Sequence, residues 1–182
     1  AIQNKEKNFV SCVLYLHNDG KNIREFLKTV CGTMEQNFEK YEIVCVNDCC
    51  MDDTIEEIHR YLEESNTRHV VSLINLSFYQ GVEMAMNAGR DLAVGDFLFE
   101  FDRCLLDFEP SLIMDIYHKA LEGYDVVAAA PKRDVAFTSR LFYVVYNLGS
   151  RNTHKLRQER FRIISRRAVN RVNQMNAYIP YR

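Results

Sequence analysis

Short apolar runs that alternate with stretches of helical periodicity constrain this chain more than any other feature. "FVSCVLYL" (9–16), "YEIVCV" (41–46), "HVVSLIN" (69–75), "GDFLFEFD" (95–102) and "YDVVAAA" (124–130) are dense in β-branched and large apolar residues, as strands covered on both faces must be. Between them lie "NIREFLKTVCGTMEQNF" (22–38), with Ile23, Phe26, Leu27, Val30 and Met34 at helical spacing, then "TIEEIHRYLEE" (54–64), "GVEMAMNAGRDLA" (81–93) and "EPSLIMDIYHKALEG" (109–123). Strand and helix repeated through short connections predict an α/β fold, a largely parallel sheet with helices on its faces. At 182 residues the chain suits one domain.

Local signals mark the element ends. Asp52 or Asp53 is positioned to cap the second helix, with Glu56 as the capping-box acid if Asp53 is the cap. Pro110 suits a first helical turn and Gly123 the residue past a helix end. After Ala130, "FTSRLFYVVYNLGS" (137–150) reads as an amphipathic helix, "RFRIIS" (160–165) as a strand and "RRAVNRVNQM" (166–175) as a short helix.

The net charge of −2 conceals an asymmetry. Residues 131–182 carry 12 basic side chains and two acidic ones, Asp134 and Glu159, whereas the first 130 carry 11 basic and 23 acidic. The basic block around "SRNTHKLRQERFRIISRRAVNR" either meets phosphates or an anionic membrane surface, or is a solvated face balancing the acidic part. Nucleic acid is not expected as a partner, because no reading module is recognisable. No apolar run reaches the roughly 20 residues of a membrane span, and the polar start "AIQNKEKNF" lacks the apolar centre of a secretory signal, which predicts an intracellular chain.

Six cysteines (Cys12, Cys31, Cys45, Cys49, Cys50, Cys104) show no CxxC pairing and read as free thiols, with Cys12, Cys31 and Cys45 as core residues. His17, His59, His69, His118 and His154 form no metal cluster by spacing.

In a parallel α/β sheet, ligands bind at the carboxyl ends of the strands. The loops there read "HNDG", "NDCCMDDT" and "DRCLLDFEP", so carboxylates from three separate loops are expected to converge on one edge. No glycine-rich loop follows the first strand, which disfavours a dinucleotide site or a P-loop.

Taken in order, "VSCVLYLHNDGKNI", "YEIVCVNDCCMDDT", "GVEMAMNAGRDLAVGDFLFEFD", "LEGYDVVAAAPKR" and "RFRIISRRAV" resemble the family 2 glycosyltransferases. The branch they are most similar to holds dolichol-phosphate mannosyltransferase and bacterial polyprenol-phosphate glycosyltransferases. The resemblance implies a GT-A fold, a Rossmann-like three-layer sandwich with a mostly parallel central sheet. Residues 1–130 would be the nucleotide-sugar-binding half of a single domain and 131–182 its basic acceptor-side half. Where the family begins with Pro-x-Tyr-Asn-Glu, this chain has Tyr15-Leu16-His17-Asn18-Asp19, and the paired Asp-Asp that follows the second strand is Asn47-Asp48. The implied nucleotide-binding residues are Tyr15, His17, Asp19, Asp48, Asp102 and Arg103, with Asp48 as acceptor for a base N–H. The usual Gly-Ser after the pair is Cys49-Cys50, so the turn is expected to differ.

The family's Asp-x-Asp, which holds a divalent ion on the donor diphosphate, appears as Asp102-Arg103-Cys104. The resemblance makes Asp102 the catalytic and metal-ligating residue for Mg²⁺ or Mn²⁺, weakened because Cys104 is a poor substitute for a hard oxygen donor. No organic cofactor is expected. Arg103 either neutralises diphosphate or pairs with Asp107 or Glu109. The late Asp-Phe-Arg is Arg160-Phe161-Arg162, where Arg162 is a candidate phosphate contact or a strand residue pairing with Glu159 or solvent.

The implied activity is inverting transfer of a sugar from a nucleotide sugar. An acceptor that is already a phosphate needs little base help, which favours a polyprenol phosphate at the cytoplasmic membrane face. The alternative is a weakened or inactive relative that binds a nucleotide or partner. The loss of the Pro, the Tyr, one Asp of the pair, the second metal carboxylate and the late Asp speaks for it.

Overall fold

A computed structural model describes residues 4–130, 142–146 and 161–174, the segment 142–146 as backbone. In chain order the elements are β1 (Val10–Leu16), α1 (Ile23–Asn37), β2 (Tyr41–Asn47), α2 (Thr54–Glu64), β3 (Val71–Asn75), α3 (Val82–Leu92), β4 (Phe97–Phe101), α4 (Ser111–Leu121), β5 (Val126–Ala130), β6 (Phe142–Tyr146), β7 (Phe161–Ser165) and α5 (Arg166–Gln174). The expected α/β architecture is present.

The seven strands form one sheet in the order β3-β2-β1-β4-β7-β5-β6. β1, β2, β3 and β4 pair in parallel. β7 runs antiparallel to both β4 and β5, and β6 antiparallel to β5, so β1 to β5 share one direction.

Side-chain alternation along the strands builds two cores. Val10, Cys12, Leu14 and Leu16 of β1 meet Phe26, Leu27 and Val30 of α1, Ile58 of α2 and Ile113 and Ile116 of α4. Val13 joins Ala85 and Met86 of α3 and Ala168 and Val169 of α5 on the other face. Burying each large apolar side chain contributes about 1.5–3 kcal/mol, and both faces are covered, which explains why the strands read as apolar runs. α3 lies close against the sheet at Gly89, where a Cβ would stand 2.4 Å from a Val13 methyl and 2.8 Å from a Val46 methyl. Any larger residue there would push α3 off β1 and β2.

Two expectations change. Residues 142–146, inside the stretch read as an amphipathic helix, are strand β6, because "FYVVY" is β-branched and aromatic and β5 offers it a free edge; the rest of that stretch lies outside the described residues. Asp53 makes no side-chain cap on α2, so the Glu56 capping box does not form. Asp52 does the work instead, accepting the Thr54 N–H at 3.1 Å and the Gly20 N–H at 2.9 Å. Slight desolvation would raise its pKa, but the bonds from Thr54 and Gly20 hold it below the usual value. Gly123 follows α4 with a left-handed φ of 101°, as expected of a residue past a helix end.

Candidate active site

β1 lies between β2 and β4, and its end is in register with theirs, Leu16 beside Asn47 and Leu14 beside Phe101. The loops that follow the three strands therefore open side by side, as the loop composition predicted. Strand order positions them, and hydrogen bonds then lock them together. The Asp48 N–H donates to the Leu16 carbonyl at 3.0 Å, Met51 N to Asn18 Oδ1 at 2.7 Å and Asp19 N to Thr54 Oγ1 at 2.8 Å.

Asp48 is fully buried. Its carboxylate accepts three protein donors: the Gln80 N–H at 2.7 Å, the Gly81 N–H at 2.8 Å and the Tyr15 hydroxyl at 3.0 Å. It thereby binds the approach to α3 onto β1 and β2. In this enclosed position the carboxylate, which the resemblance implies as acceptor for a base N–H, bonds donors of the protein itself. Burial, then the negative charge and hydrogen bond of Asp48, push the Tyr15 phenol far above its usual pKa. Tyr15 is a neutral donor at any ordinary pH.

Asp19 is likewise a brace. Its carboxylate accepts His17 N–H at 2.9 Å and the Cys104 N–H, tying the loop after β1 to the loop after β4. Burial raises its pKa, opposed by those backbone donors. Asn47, which stands where the family has an acid, accepts Cys50 N–H at 2.9 Å and donates to Asn75 Oδ1 at 2.8 Å.

His17 is half-buried, with Nδ1 at 2.7 Å from the Asp48 carbonyl oxygen. Its ring lies 4.8 Å from that of Tyr79 and stacks at 6.5 Å on Tyr15. Tyr79 is exposed beside it. Tyr79, which packs on His17 here, is a residue that its sequence context gave no reason to single out.

The turn at Cys49 keeps the left-handed conformation a glycine would adopt, with φ 56°; the replacement leaves that conformation in place and puts a side chain in it. A left-handed non-glycine residue costs about 1–2 kcal/mol, and glycine's extra unfolded-state freedom takes back about 0.4–1 kcal/mol. Cys49→Gly is therefore expected to stabilise the protein by about 0.5–1 kcal/mol, measured as a higher urea midpoint at unchanged slope.

The donor set after β4 does not fit a hard divalent ion. Cys104 is buried, and its thiol donates to the Tyr15 carbonyl at 3.6 Å. Burial above all, followed by Asp19, Cys45, Cys50 and Asp102, pushes that thiol well above its usual pKa. A neutral, inward-turned thiol cannot stand in for a carboxylate, so Asp102 keeps no second protein ligand at this position. Asp102 itself is half-buried, with Oδ1 enclosed. Among the described residues no group of three or more His, Cys, Asp or Glu side chains is arranged to hold a metal ion.

Arg103 lies 3.7 Å from Asp107, four residues further along the loop, and is half-exposed, the surface pairing weighed above. Arg162 donates through Nε to Glu100 at 2.5 Å, and Arg90 Nε donates to the other oxygen at 2.8 Å. Arg162 is thus part of an ion triad joining β7, β4 and α3, and its guanidinium is anchored in the fold. Glu100 and Arg90 were missed in the sequence; the signal was a glutamate inside the strand "FLFEFD", since a charge within a buried run requires a partner. The neighbouring arginines are also engaged internally. Arg166 bonds the carbonyls of Ala93 and Gly95, and Arg167 and Arg171 bond the buried Asp125. In this part the basic block balances the protein's own acids.

The comparisons with known proteins agree with this architecture. A family model, "Glycosyl transferase family 2", matches residues 11–177. The chain is 29% identical over 174 residues to an uncharacterised glycosyltransferase of Synechocystis, covering 91% of this chain and 53% of that protein. It is also 29% identical over 153 residues to an undecaprenyl-phosphate 4-deoxy-4-formamido-L-arabinose transferase of Edwardsiella ictaluri, covering 83% and 46%. The chain thus spans about half the length of these relatives. Among solved structures, a Pyrobaculum calidifontis mannosyltransferase in complex with GDP-Man and Mn²⁺ aligns with a TM-score of 0.60 at 17% identity, over 70% of this chain and 36% of that one. S. aureus TarS in complex with UDP-GlcNAc aligns with a TM-score of 0.52 at 21% identity, over 70% and 37%. At such identities these likenesses speak for the shared fold. With the family model covering nearly the whole sheet and the three loops where its blocks place them, the chain belongs to glycosyl transferase family 2.

Proposed function

We propose that this chain is the nucleotide-sugar-binding part of a glycosyltransferase whose acceptor is a polyprenol phosphate. The observation that carries the reading is the convergence of the loops after β1, β2 and β4 on one sheet edge, joined by Asp48 N–H on the Leu16 carbonyl, Asp19 N–H on Thr54 Oγ1 and Cys104 N–H on the Asp19 carboxylate, in a chain of this family. GDP-Man and UDP-GlcNAc in the two structural relatives support a nucleotide-sugar donor. The undecaprenyl-phosphate transferase supports the acceptor. An acceptor phosphate oxygen would form the new bond to the anomeric carbon from the face opposite the leaving group as the bond to the nucleoside diphosphate breaks, giving inversion.

Asp102 and Arg103 border the place for the diphosphate, and Tyr15, His17 and Tyr79 that for the base. Arg162, held by Glu100, would act on a phosphate only from within its triad. No helix among the described residues is long and apolar enough to cross a membrane, so action at a membrane face calls for peripheral contact or for another part of the protein.

A second reading, nucleotide binding without turnover, is favoured by the buried thiol of Cys104 where the family carries a metal-binding carboxylate. A thermal-shift panel of UDP-, GDP-, CDP- and ADP-sugars, with and without Mn²⁺, tests both. At a hundredfold excess over Kd a ligand adds about 2.7 kcal/mol, a rise of about 5 °C or more in a chain of this size. Stabilisation by one nucleotide class together with sugar transfer to polyprenol phosphate supports the first reading, and stabilisation without transfer supports the second. No shift with any nucleotide sugar overturns both.

A further inference from the structure

We infer that the adjacent thiols of Cys49 and Cys50 are a modification site for low-molecular-weight disulfides: once joined to each other, they loosen the loop after β2 from the loops on either side of it. That this loosening weakens ligand binding rests on the nucleotide-binding reading above, whereas the bond and the loosening do not.

Cys12, Cys31, Cys45 and Cys104 are buried, and Cys49 and Cys50 are half-buried, so these two are the cysteines that a reagent in water reaches. Their sulfurs hold different neighbours. Cys49 Sγ donates to the Leu76 carbonyl, after β3, at 3.7 Å, and Cys50 Sγ accepts the Asn18 N–H, after β1, at 3.3 Å. β3 and β1 flank β2 on opposite sides. A disulfide sulfur has no hydrogen to give Leu76, and two sulfurs drawn to about 2 Å from each other cannot both stay on partners that lie to either side. Closing the bond therefore removes the Leu76 contact and pulls Cys50 from Asn18.

The backbone at this point is held by its bonds. Asn18, with φ 59°, and Cys49, with φ 56°, are the left-handed residues other than glycine among the described ones, and such conformations persist only where the surroundings fix them. The fixing bonds run between the two loops: Asn18 N–H to Cys50 Sγ, and Met51 N–H to Asn18 Oδ1 at 2.7 Å. Freeing Cys50 loosens both turns, and with them the stretch that carries His17 and Asp19. Neighbouring Cα atoms stand about 3.8 Å apart, short of the roughly 4.4–6.8 Å usual for a disulfide, so the bond is readily reduced and the change reverses.

The chemistry is thiol–disulfide exchange. One cysteine gives its proton to water and attacks a sulfur of the reagent RSSR, expelling one thiolate. The second, deprotonated in turn, displaces the other half of the reagent. The protein is oxidised by two electrons with loss of two protons, and RSSR is reduced to two RSH.

The test treats the folded chain with oxidised glutathione, which spares the exposed Met51 where peroxide would oxidise it. Alkylation after unfolding should find four free thiols in place of six, with Cys45 alkylated and the Cys49–Cys50 pair lighter by two hydrogens. Hydrogen exchange at residues 17–19 and 49–51 should quicken about fivefold or more. The nucleotide sugar that binds the reduced chain best should bind the oxidised one about fivefold or more weakly. Dithiothreitol should reverse each change. The double variant Cys49→Gly, Cys50→Ser, whose serine hydroxyl can still accept the Asn18 N–H, should show none of them. Absence of the Cys49–Cys50 bond, or a bond without faster exchange, overturns the inference. Faster exchange with unchanged nucleotide binding overturns control of the site and leaves the proposed function standing. A reduced chain that binds no nucleotide sugar overturns the proposed function, and the thiol count and exchange then decide the inference by themselves. Should the variant fail to fold, reversal by dithiothreitol decides it on the unaltered chain.

Discussion

Glu100→Gln will destabilise the protein by about 3–5 kcal/mol, the cost of removing one partner from a buried ion group. Glu100 is 1% exposed and receives Arg90 and Arg162 on its two oxygens. The amide would leave two guanidinium charges close together without the carboxylate between them, in a domain whose whole stability is about 5–15 kcal/mol. Replacing all three at once by apolar residues of similar volume should cost far less, because a buried ion group contributes little net once its desolvation is counted. Urea unfolding of the single and triple variants separates the two effects. A single variant within 1 kcal/mol of the parent, read against the ~3–5 expected, would show that the triad is not formed.

The same triad sets a pH dependence. Burial alone would raise the Glu100 pKa, but attraction to Arg162 and Arg90 outweighs it and holds the carboxyl below its ordinary value. A carboxyl depressed in the folded state contributes stability that is fully present above its unfolded pKa and disappears as pH falls through the folded one. The parent should therefore lose stability on acidification below the ordinary carboxylate range more steeply than the triple apolar variant.

The second large effect is expected at Asp48. Asp48→Ala removes the acceptor for the Gln80 and Gly81 amides and the Tyr15 hydroxyl. Buried donors left unsatisfied cost about 1–3 kcal/mol each, partly recovered if water enters, so a loss of about 3–5 kcal/mol is expected together with loss of nucleotide binding. Asp48→Asn should fall between, since the amide can serve one side of the cluster and opposes donors on the other. A residue whose chief task is to touch the base would behave differently, with binding lost at an unchanged melting temperature. Differential scanning calorimetry of the two variants distinguishes these outcomes.

Much of the molecule was legible beforehand. The five strands and four helices before residue 130 carried unambiguous periodicity, and their alternation with short loops fixes a parallel sheet because right-handed crossovers allow little else. That the loops carrying Asp19, Asp48 and Asp102 open at one sheet edge followed from the rule that strand ends face one way. What each of them does there was not legible. Asp19 and Asp48 read as ligand-facing carboxylates, yet both bond backbone amides of neighbouring loops. A carboxylate in a loop signals only that it needs donors, and whether those come from a ligand or from the chain depends on which loops are adjacent. The strand over 142–146 was missed for a related reason: "FYVVY" suits either a helix face or a strand, and β5 as a neighbour decided it.

By itself the sequence determined the order of the elements, the edge on which the three acidic loops open and the family, because these depend on local periodicity and on blocks of adjacent residues. Tertiary structure alone decided that the Cys104 thiol turns inward to the Tyr15 carbonyl, that Arg162 and Arg90 share Glu100, and that the His17 ring meets the Asp48 carbonyl. Each of those is a pairing between residues far apart in the chain, and hydrogen bonds and desolvation act over a few ångströms of space, whatever the separation in sequence.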